Sequence, residues 1–347
     1  MKALYKFGTN ANDVALRDCP IPEINSIDNV RIKVHYCAIC GMDHQIMLGK
    51  FPCTPPFIMG HEFMGVVDQV APGVTSLKPG DRVVGEPHLY ACGHCTACRD
   101  GLPQLCVSRR SIGIQRDGAM TSYLVMPEKH IHKIPDSIPD QLACLMEPFS
   151  MIMGNIGVPV EEEQAENVVI MGAGLVGQFG LVAAKACGAK QVIVSDLNPS
   201  YRTELAQKLG ADVLLFSETE DVVQRVMELT GGVGADMVLE ATGAESAINS
   251  AFAMIKNGGL ISVMGGTKRD SVSLHWDVLL KKAARVHFHM MSDYKYMDKA
   301  IEVFAKPYTD LSPLITAEFS LDEWEDAFKF VADRKSIKTI IRIKDGD

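Results

Sequence analysis

Hydrophobic and polar positions along this chain form two patterns, and the change between them falls near residue 150. In residues 30–36, apolar side chains occupy the even positions and polar side chains the odd ones, as in a strand with one buried face. Turns such as Pro72-Gly73 separate this run from other short apolar runs, for example at 63–70. Residues 1–150 are therefore predicted to form a small β-barrel, with His35 on the solvent side of its strand.

A second pattern begins after Glu147-Pro148. Residues 167–171 are apolar without alternation, as expected for a strand that is covered on both faces. Strand and helix patterns then alternate, which predicts a doubly wound parallel sheet and an α/β class. Later strands are predicted at 191–195, 213–216, 236–241, 260–264 and 285–289, and later helices at 219–229 and 244–256. The tail, with a helix at 321–333 and a strand at 338–343, departs from this repeat and is predicted to return to the first domain.

A glycine-rich loop, Gly172-Ala173-Gly174-Leu175-Val176-Gly177, follows the first strand of the second pattern and precedes a helix. This G-x-G-x-x-G context predicts a dinucleotide site, because the glycines permit a tight turn and close approach of a pyrophosphate to the helix N-terminus. Asp196, at the end of the next strand, can accept hydrogen bonds from ribose hydroxyls and would repel a 2′-phosphate, which favours NAD over NADP. Because Arg202 is close to Asp196 in the sequence, NADP remains an alternative cofactor. The predicted cofactor-binding residues are Gly172, Gly174, Leu175, Val176, Gly177, Asp196, Arg202, Thr242 and Gly265.

Composition narrows the class of protein. With 347 residues, 47% of them hydrophobic and 22% charged, the chain is long enough for about two globular domains. A net charge of -9 without a basic stripe argues against a nucleic-acid partner. The first residues lack a signal-peptide core and no apolar run reaches the roughly 20 residues of a membrane helix, so we expect a cytoplasmic protein without a membrane partner. Its ten cysteines are then expected to be metal ligands and buried thiols.

Four of the cysteines form a compact motif, Cys92, Cys95, Cys98 and Cys106. Four thiolates at this spacing can surround Zn²⁺ without leaving a vacant position, which is the arrangement of a structural site. An iron–sulfur cluster is the competing interpretation, since C-x2-C-x2-C also begins ferredoxin motifs. There the fourth cysteine usually comes three residues later and precedes a proline, unlike Cys106. Residues 90–108 are therefore predicted to be a structural zinc lobe.

A second candidate metal site lies between Cys40-Gly41-Met42-Asp43 and Met59-Gly60-His61-Glu62. These segments supply a thiolate, an imidazole and a carboxylate, the ligand types that Zn²⁺ prefers. The pattern is unspecific when taken alone, because cysteine and histidine often fall near each other. The four-cysteine motif and the glycine loop downstream favour the interpretation as a metal site, because all three occur together in one kind of enzyme.

In combination, these motifs resemble the zinc-containing medium-chain alcohol and polyol dehydrogenases, a group that includes sorbitol, threonine and galactitol-phosphate dehydrogenases. The resemblance rests on Cys40-Gly41-x-Asp43, Gly60-His61-Glu62, the cysteine lobe, Glu147-Pro148 and the glycine loop, in the family's order. It implies a GroES-like β-barrel catalytic domain formed by residues 1–150 and 288–347. A Rossmann NAD-binding domain would span 151–287, with a catalytic zinc in the cleft. The family also implies two Zn²⁺ per chain, NAD, and a homodimer or homotetramer.

The same resemblance implies roles for individual residues. Cys40 and His61 match two catalytic zinc ligands, and Asp43 matches a residue that orients a ligand by hydrogen bonding. Glu62 and Glu147 match the acidic positions that ligate the metal or hold a water on it, and either could be the third ligand. In this family the metal lowers the pKa of the substrate hydroxyl, and hydride passes from the carbon to the nicotinamide.

Two positions depart from the family pattern around the first ligand. Met42 stands where a serine or threonine usually passes the substrate proton on, and a methionine cannot do so. Gln45 stands where a histidine is common, with His44 one residue earlier. His44, Glu62, Glu147 or water could replace this relay, and we hypothesise a zinc-bound water network with Glu147; an unchanged pH–rate profile in Glu147→Gln would contradict it. Met290-Met291 also replace an arginine that is frequent in the polyol branch.

The leading functional prediction is a zinc-dependent oxidoreductase that transfers a hydride from a secondary alcohol, namely a polyol, sugar or sugar derivative, to NAD⁺. A second enzyme hypothesis is oxidation of a hydroxyl on a larger substrate, such as an amino alcohol or glycoside. Met42 and Met290-Met291 would make its pocket more apolar. A different class is a nucleotide-binding regulator that kept the fold but lost turnover. Intact metal ligands count against that class, and zinc analysis with a substrate panel separates the three.

Overall fold

The structure is a computed structural model that describes residues 1–288 and 294–344. Within these ranges its strands are β1 (Lys2–Lys6), β2 (Val14–Asp18), β3 (Asn29–Ala38), β4 (Phe57–Ile58), β5 (Glu62–Val70), β6 (Arg82–Gly85), β7 (Tyr123–Pro127), β8 (Ile131–Lys133), β9 (Asn167–Met171), β10 (Gln191–Asp196), β11 (Val213–Phe216), β12 (Ala235–Glu240), β13 (Ile255–Val263), β14 (Arg285–Phe288), β15 (Ile315–Ser320) and β16 (Lys338–Arg342). Its α-helices are α1 (Gly41–Met47), α2 (Thr96–Arg99), α3 (Asp140–Ala143), α4 (Met146–Ile152), α5 (Val158–Glu163), α6 (Leu175–Ala186), α7 (Tyr201–Lys208), α8 (Val222–Leu229), α9 (Glu245–Met254), α10 (Trp276–Lys282), α11 (Tyr294–Ala305) and α12 (Trp324–Ala332). None of these described helices is long and apolar enough to cross a membrane.

The chain divides into two compact units. The first unit comprises Met1–Ser150, Ser292–Lys306 and Ile315–Asp347, and the second comprises Met151–Met291 and Pro307–Leu314. Pro307–Leu314 groups with the second unit, whereas the family resemblance implied that all of residues 288–347 belong to the first. The physical reason is local, because the half-buried Tyr308 hydroxyl donates a hydrogen bond to the carbonyl of Leu209 at 2.6 Å.

Two sheets build the first unit. One has the strand order β2-β1-β4 and the other the order β15-β16-β3-β5-β6-β8, with β7 also paired to β3. The alternation predicted for residues 30–36 is observed in β3, where Val30, Ile32 and Val34 are buried. His35, predicted on the solvent side, is only half-exposed, because its Nδ1 lies 3.2 Å from a carboxylate oxygen of Asp140.

The C-terminal strand β16 completes the larger sheet of the first unit. It pairs antiparallel with β3, with Ile340 opposite Ala38. Thr339, Ile340 and Ile341 are fully buried, so the end of the chain contributes to the core beside the strand that leads to Cys40. The tail helix is α12, shorter than the predicted 321–333 because Leu321–Glu323 form a separate 3₁₀ turn.

A six-stranded parallel sheet forms the second unit, in the order β11-β10-β9-β12-β13-β14. This confirms the predicted doubly wound fold class. The apolar residues of β9 lie at the centre of the sheet, and Val168, Val169 and Ile170 are fully buried, which explains their lack of alternation. Several boundaries differ by a few residues, and the largest difference is at β13, predicted from 260: α9 ends at Met254 and β13 begins at Ile255, which pairs with Ala235. The polar residues that follow hide this strand start in the sequence.

Candidate active site

Cys40 and Asp43 are positioned by the start of α1. Cys40 is the N-terminal cap of this helix, and its Sγ accepts a hydrogen bond from the Met42 N–H at 3.4 Å. In return, Asp43 Oδ2 accepts a bond from the Cys40 N–H at 2.9 Å, which completes a capping box. Asp43 is fully buried. The C-G-x-D pattern thus fixes the orientation of the thiol through local hydrogen bonds.

The pairing of β3 with β5 brings His61 and Glu62 beside Cys40. Ala38, two residues before Cys40, lies opposite Glu62 in the antiparallel register. Gly60 takes a φ of +89°, in the left-handed region that favours glycine, and a Cβ there would lie 2.7 Å from Cys37 Sγ. The chain can therefore turn tightly just before His61, and one ligand atom from each of Cys40, His61 and Glu62 lies within 4.8 Å of the others.

The donor set of this group fits zinc. It combines a thiol, an imidazole and a carboxylate, and both His61 and Glu62 are almost completely buried. Three protein donors leave one position of a tetrahedron for substrate or water, which is the pattern of a catalytic rather than a structural site. Cys40, His61 and Glu62 would hold the ion.

Asp43 also sets the electrostatics of His61. Its Oδ1 lies 3.3 Å from His61 Nδ1, and neither atom hydrogen-bonds to any other described group. Burial alone would lower the pKa of His61, but the charges and hydrogen bonds of Asp43 and Cys40 outweigh it and raise this pKa well above its usual value. The contact occupies Nδ1, so Nε2 would be the nitrogen available to a metal if Asp43 orients this ligand.

The four-cysteine lobe also converges. Ligand atoms of Cys92, Cys95, Cys98 and Cys106 lie within 4.8 Å of one another, and all four are free thiols. Backbone N–H groups of His94 and Cys95 lower the pKa of Cys92 to about 6, whereas burial raises that of Cys98 to about 12. Four thiolates this close would repel one another without a cation between them, and the set fits Zn²⁺ with no open position.

The glycine loop connects β9 to α6. Gly172 has a φ of +96°, and a Cβ on Gly177 would lie 1.8 Å from the carbonyl oxygen of Gly172. Both positions therefore require glycine. Gly174 caps α6, whose first residues are Leu175 and Val176, so the loop presents a helix N-terminus as predicted.

Asp196 lies at the end of β10, beside this loop. Its Oδ2 accepts a hydrogen bond from the Ala173 N–H at 2.9 Å, and its Oδ1 accepts one from Leu197 N–H at 2.7 Å. Each oxygen retains a lone pair, so the carboxylate can still accept a bond from a ribose hydroxyl. Asp196 thus shapes the loop as well as being a candidate ribose contact.

The remaining predicted cofactor residues lie at the same edge of the sheet. Arg202 is in the first turn of α7, and its Nη1 lies 3.8 Å from where a Cβ on Gly174 would be. Thr242 follows β12, and its N–H donates to the buried carboxylate of Glu240 at 2.8 Å. Gly265 follows β13, where a Cβ would lie 2.1 Å from the N–H of Gly243.

Comparisons with known proteins agree with this geometry. A model of the alcohol dehydrogenase GroES-like domain matches residues 26–136, and a zinc-binding dehydrogenase model matches residues 176–306. D-arabitol-phosphate dehydrogenase of Enterococcus avium is 32% identical over 343 residues, covering 98% of this chain and 97% of that protein. The chain belongs to the zinc-binding alcohol dehydrogenase family.

Two further proteins resemble this dehydrogenase. L-threonine 3-dehydrogenase of Pseudoalteromonas translucida is 33% identical, covering 98% of this chain and 99% of that protein. The crystal structure of galactitol-1-phosphate dehydrogenase from Escherichia coli has a TM-score of 0.88 at 26% identity, covering 99% of this chain and 100% of that one. The protein is thus a zinc-dependent oxidoreductase that uses NAD, which confirms the predicted family, enzyme class and cofactors.

The structure distinguishes the two acidic candidates of the dehydrogenase. Among the described residues, Glu62 lies in the ligand group with Cys40 and His61, whereas Glu147, near the start of α4, does not. His44 is half-buried on α1 outside that group, and burial followed by the charge of Lys50 lowers its pKa. Met42 packs against the hydrophobic core of the first unit. Met290-Met291 lie outside the described residues.

Lys338 is a site residue that sequence reasoning missed. It begins β16, is almost completely buried, and its Nζ contacts Glu62 Oε2. Burial disfavours the ammonium group, but the negative charges of Glu62 and Cys40 outweigh burial and raise the pKa of Lys338. Nothing in the local sequence marks this lysine, since only the pairing of β16 with β3 brings it to the metal site.

His88 is a second residue that sequence reasoning missed. Its Nδ1 lies 2.9 Å from Ser111 Oγ, and burial, together with the positive charges of Arg109 and His61, lowers its pKa to about 3. The dehydrogenase therefore keeps a neutral imidazole in the first unit at ordinary pH.

This neutral imidazole predicts a pH dependence of stability. Below the unfolded-state pKa of about 6.5, the unfolded chain protonates His88 while the folded protein does not until about pH 3. The contribution of His88 to the free energy of unfolding is therefore fully present above pH 6.5. It decreases with acidification, by at most about 1.4 kcal/mol per pH unit for one proton. Urea unfolding of His88→Gln from pH 7 to 4 should show a shallower loss than wild type. His275→Gln, at an exposed histidine, should parallel wild type, and a parallel His88→Gln curve would contradict the assignment.

Proposed function

We propose that this dehydrogenase oxidises a secondary hydroxyl of a polyol, sugar or sugar derivative, including phosphate esters, with NAD⁺. The observation that carries the proposal is the buried Cys40, His61 and Glu62 group, whose three donors leave a position for a substrate oxygen. Relatives named for arabitol phosphate and galactitol 1-phosphate support this substrate class.

The residues of the chain have distinct parts in this proposal. Zinc, when bound, would supply Lewis acidity toward the substrate oxygen and would lower the pKa of the substrate hydroxyl. Cys40, His61 and Glu62 would hold that ion, while Asp43 orients His61 and Lys338 contacts Glu62. The glycine loop would bind the pyrophosphate of NAD.

The proton must leave by a route other than residue 42. A methionine has no hydrogen to donate or pass on, so its position cannot serve as a relay. We assign the proton to water held by Glu147, the acidic position that the family resemblance associates with holding a water on the metal.

An amino alcohol is the second candidate substrate class. The similarity to an L-threonine 3-dehydrogenase, at 33% identity over nearly the whole chain, favours it. Its substrate also carries a secondary hydroxyl, so the same metal and dinucleotide sites would serve both classes.

A substrate panel with NAD⁺ and NADP⁺ tests the proposal through absorbance of the reduced cofactor. Polyols, polyol phosphates and L-threonine form the panel, and zinc content is measured on the same preparation. Turnover of a polyol or its phosphate with NAD⁺ supports the first class, and turnover of threonine alone supports the second. A preparation with zinc and bound NADH but no turnover of any secondary alcohol would overturn both.

We further propose that the protein assembles through the edge strand β14. This strand ends the six-stranded sheet, and all four of its residues are exposed, including Val286 and the 76%-exposed Phe288. Exposed Trp276 and Leu280 on α10 add apolar surface. An exposed apolar edge strand is avoided in monomers, and antiparallel pairing with a second copy would cover it symmetrically.

Val286→Glu is therefore expected to convert the oligomer to monomers. Two like charges would face each other across the pairing edges and oppose association. Light scattering after size exclusion gives the mass. Val233→Glu, which places the same charge at a 65%-exposed valine of the second unit, is the control. An unchanged mass for Val286→Glu would place the interface elsewhere.

A cytoplasmic location is likewise a proposal. All ten cysteines are free thiols, as a reducing compartment favours.

A further inference from the structure

Gln178 is a buried polar residue next to the dinucleotide loop. It follows Gly177 in the first half of α6 and is fully buried. Its Nε2 donates to the carbonyl of Ala173 at 2.9 Å and to the carbonyl of Arg202 at 2.7 Å. Both contacts use the amide nitrogen, and the buried Oε1 has no hydrogen-bond partner among the described residues. Burying an unpaired carbonyl oxygen is costly, so the two contacts of Nε2 indicate why a glutamine occupies this position.

The first contact fixes the turn of the loop. Ala173 lies between Gly172 and Gly174, and its N–H already donates to Asp196. Gln178 holds the carbonyl of the same residue. Two side chains, from the end of β10 and from α6, thus determine the orientation of both peptide groups of Ala173.

The second contact fixes Arg202 relative to the loop. Its main-chain carbonyl, in the first turn of α7, accepts the hydrogen bond from Gln178. Its guanidinium lies beside Gly174. Gln178 therefore connects the glycine turn with the arginine closest to it, two parts that are separate in the sequence.

We propose that Gln178 is a positioning residue for the cofactor, which sets the affinity for NAD by holding Ala173 and Arg202 in the bound arrangement. A preformed loop spares binding the cost of ordering it. Since Gln178 does not touch the reacting atoms, its loss affects cofactor binding and leaves turnover at saturation unchanged. The inference rests on dinucleotide binding by the glycine loop, as in the proposed function.

Gln178→Met tests this directly. Methionine has a similar length but donates no hydrogen bond, so both carbonyls lose this donor. We expect the Kd for NADH and the KM for NAD⁺ to rise about tenfold, the factor that corresponds to about 1.4 kcal/mol, while kcat changes less than twofold. The affinity for ADP-ribose, which lacks the nicotinamide, should fall by the same factor.

Asn155→Ala is the matched control. Asn155 is also a buried carboxamide of the second unit. It donates to the carbonyl of Met151 at 2.8 Å and accepts from the Ser262 hydroxyl at 3.1 Å, and neither partner belongs to the glycine loop. It should lower the Tm without moving the KM for NAD⁺. If Gln178→Met behaves in the same way, the proposal is wrong. A wild-type protein that binds no NADH would instead contradict the proposed function.

Gln178→Glu keeps the test valid if the methionine variant fails to fold. A carboxylate has the shape of the amide but donates nothing, whereas its protonated form regains one donor. Full burial at this position raises the pKa of the introduced carboxyl toward neutrality, so the KM for NAD⁺ relative to wild type should be raised at pH 8 and partly restored near pH 6. A ratio that does not change with pH would overturn the assignment.

Discussion

Replacing Lys338 by methionine is expected to lower the free energy of unfolding of the zinc-free protein by about 3–5 kcal/mol. Lys338 and Glu62 are only 2% and 1% exposed, so the substitution leaves a carboxylate buried without its cation. Removing one member of a buried ion pair is costly for this reason. Urea unfolding at pH 7.5 after removal of metal measures the effect.

Two comparisons identify the cause of this loss. Zinc also neutralises Glu62, so zinc-loaded Lys338→Met should lose less stability than the zinc-free form. Lys190→Met is the control, because Lys190 and Glu166 are 72% and 55% exposed in their ion pair and such an exposed pair contributes about 1 kcal/mol or less. Lys338→Arg, which keeps the charge, should fall between wild type and Lys338→Met. Equal losses with and without zinc would show that packing, and not the charge of Lys338, is responsible.

Glu62→Gln is expected to reduce bound zinc from two ions per chain to about one and to lower kcat/KM about 10³-fold or more. An amide is a much poorer zinc ligand than a carboxylate, while the four cysteines remain intact to hold the second ion. Metal analysis of dialysed protein and initial rates with the best substrate of the panel give both quantities.

Glu147→Gln is the matched comparison for this prediction. It makes the same chemical change outside the ligand group and should retain two zinc ions. If Glu147 holds the water that receives the proton, its pH–rate profile will nevertheless change. Loss of zinc in Glu147→Gln with retention in Glu62→Gln would reverse the two roles.

Most of the candidate site could be predicted because its ligands occur in short motifs. Cys40 and Asp43 are joined by a capping box within four residues, and the glycine loop has steric requirements that appear directly as Gly172 and Gly177. The four-cysteine lobe is equally local. The parallel sheet could be predicted for a related reason, since strands buried on both faces are continuously apolar.

Other features depended on contacts that no local pattern encodes. The convergence of Glu62, rather than Glu147, with Cys40 and His61 follows from the register that places Ala38 opposite Glu62. No local pattern distinguishes Gln178 from an ordinary helix residue, because its contact with Arg202 joins two elements that are separate in the sequence. The start of β13 was hidden because the residues after Ile255 are polar.

Residue order alone thus specified the family, the two zinc motifs and the dinucleotide loop, because each depends on side chains a few positions apart. Tertiary structure decided which carboxylate joins Cys40 and His61, and it supplied Lys338 from the opposite end of the chain. The physical reason is that a buried charge needs a partner in space. Strand pairing, not proximity in sequence, determines which partner it finds.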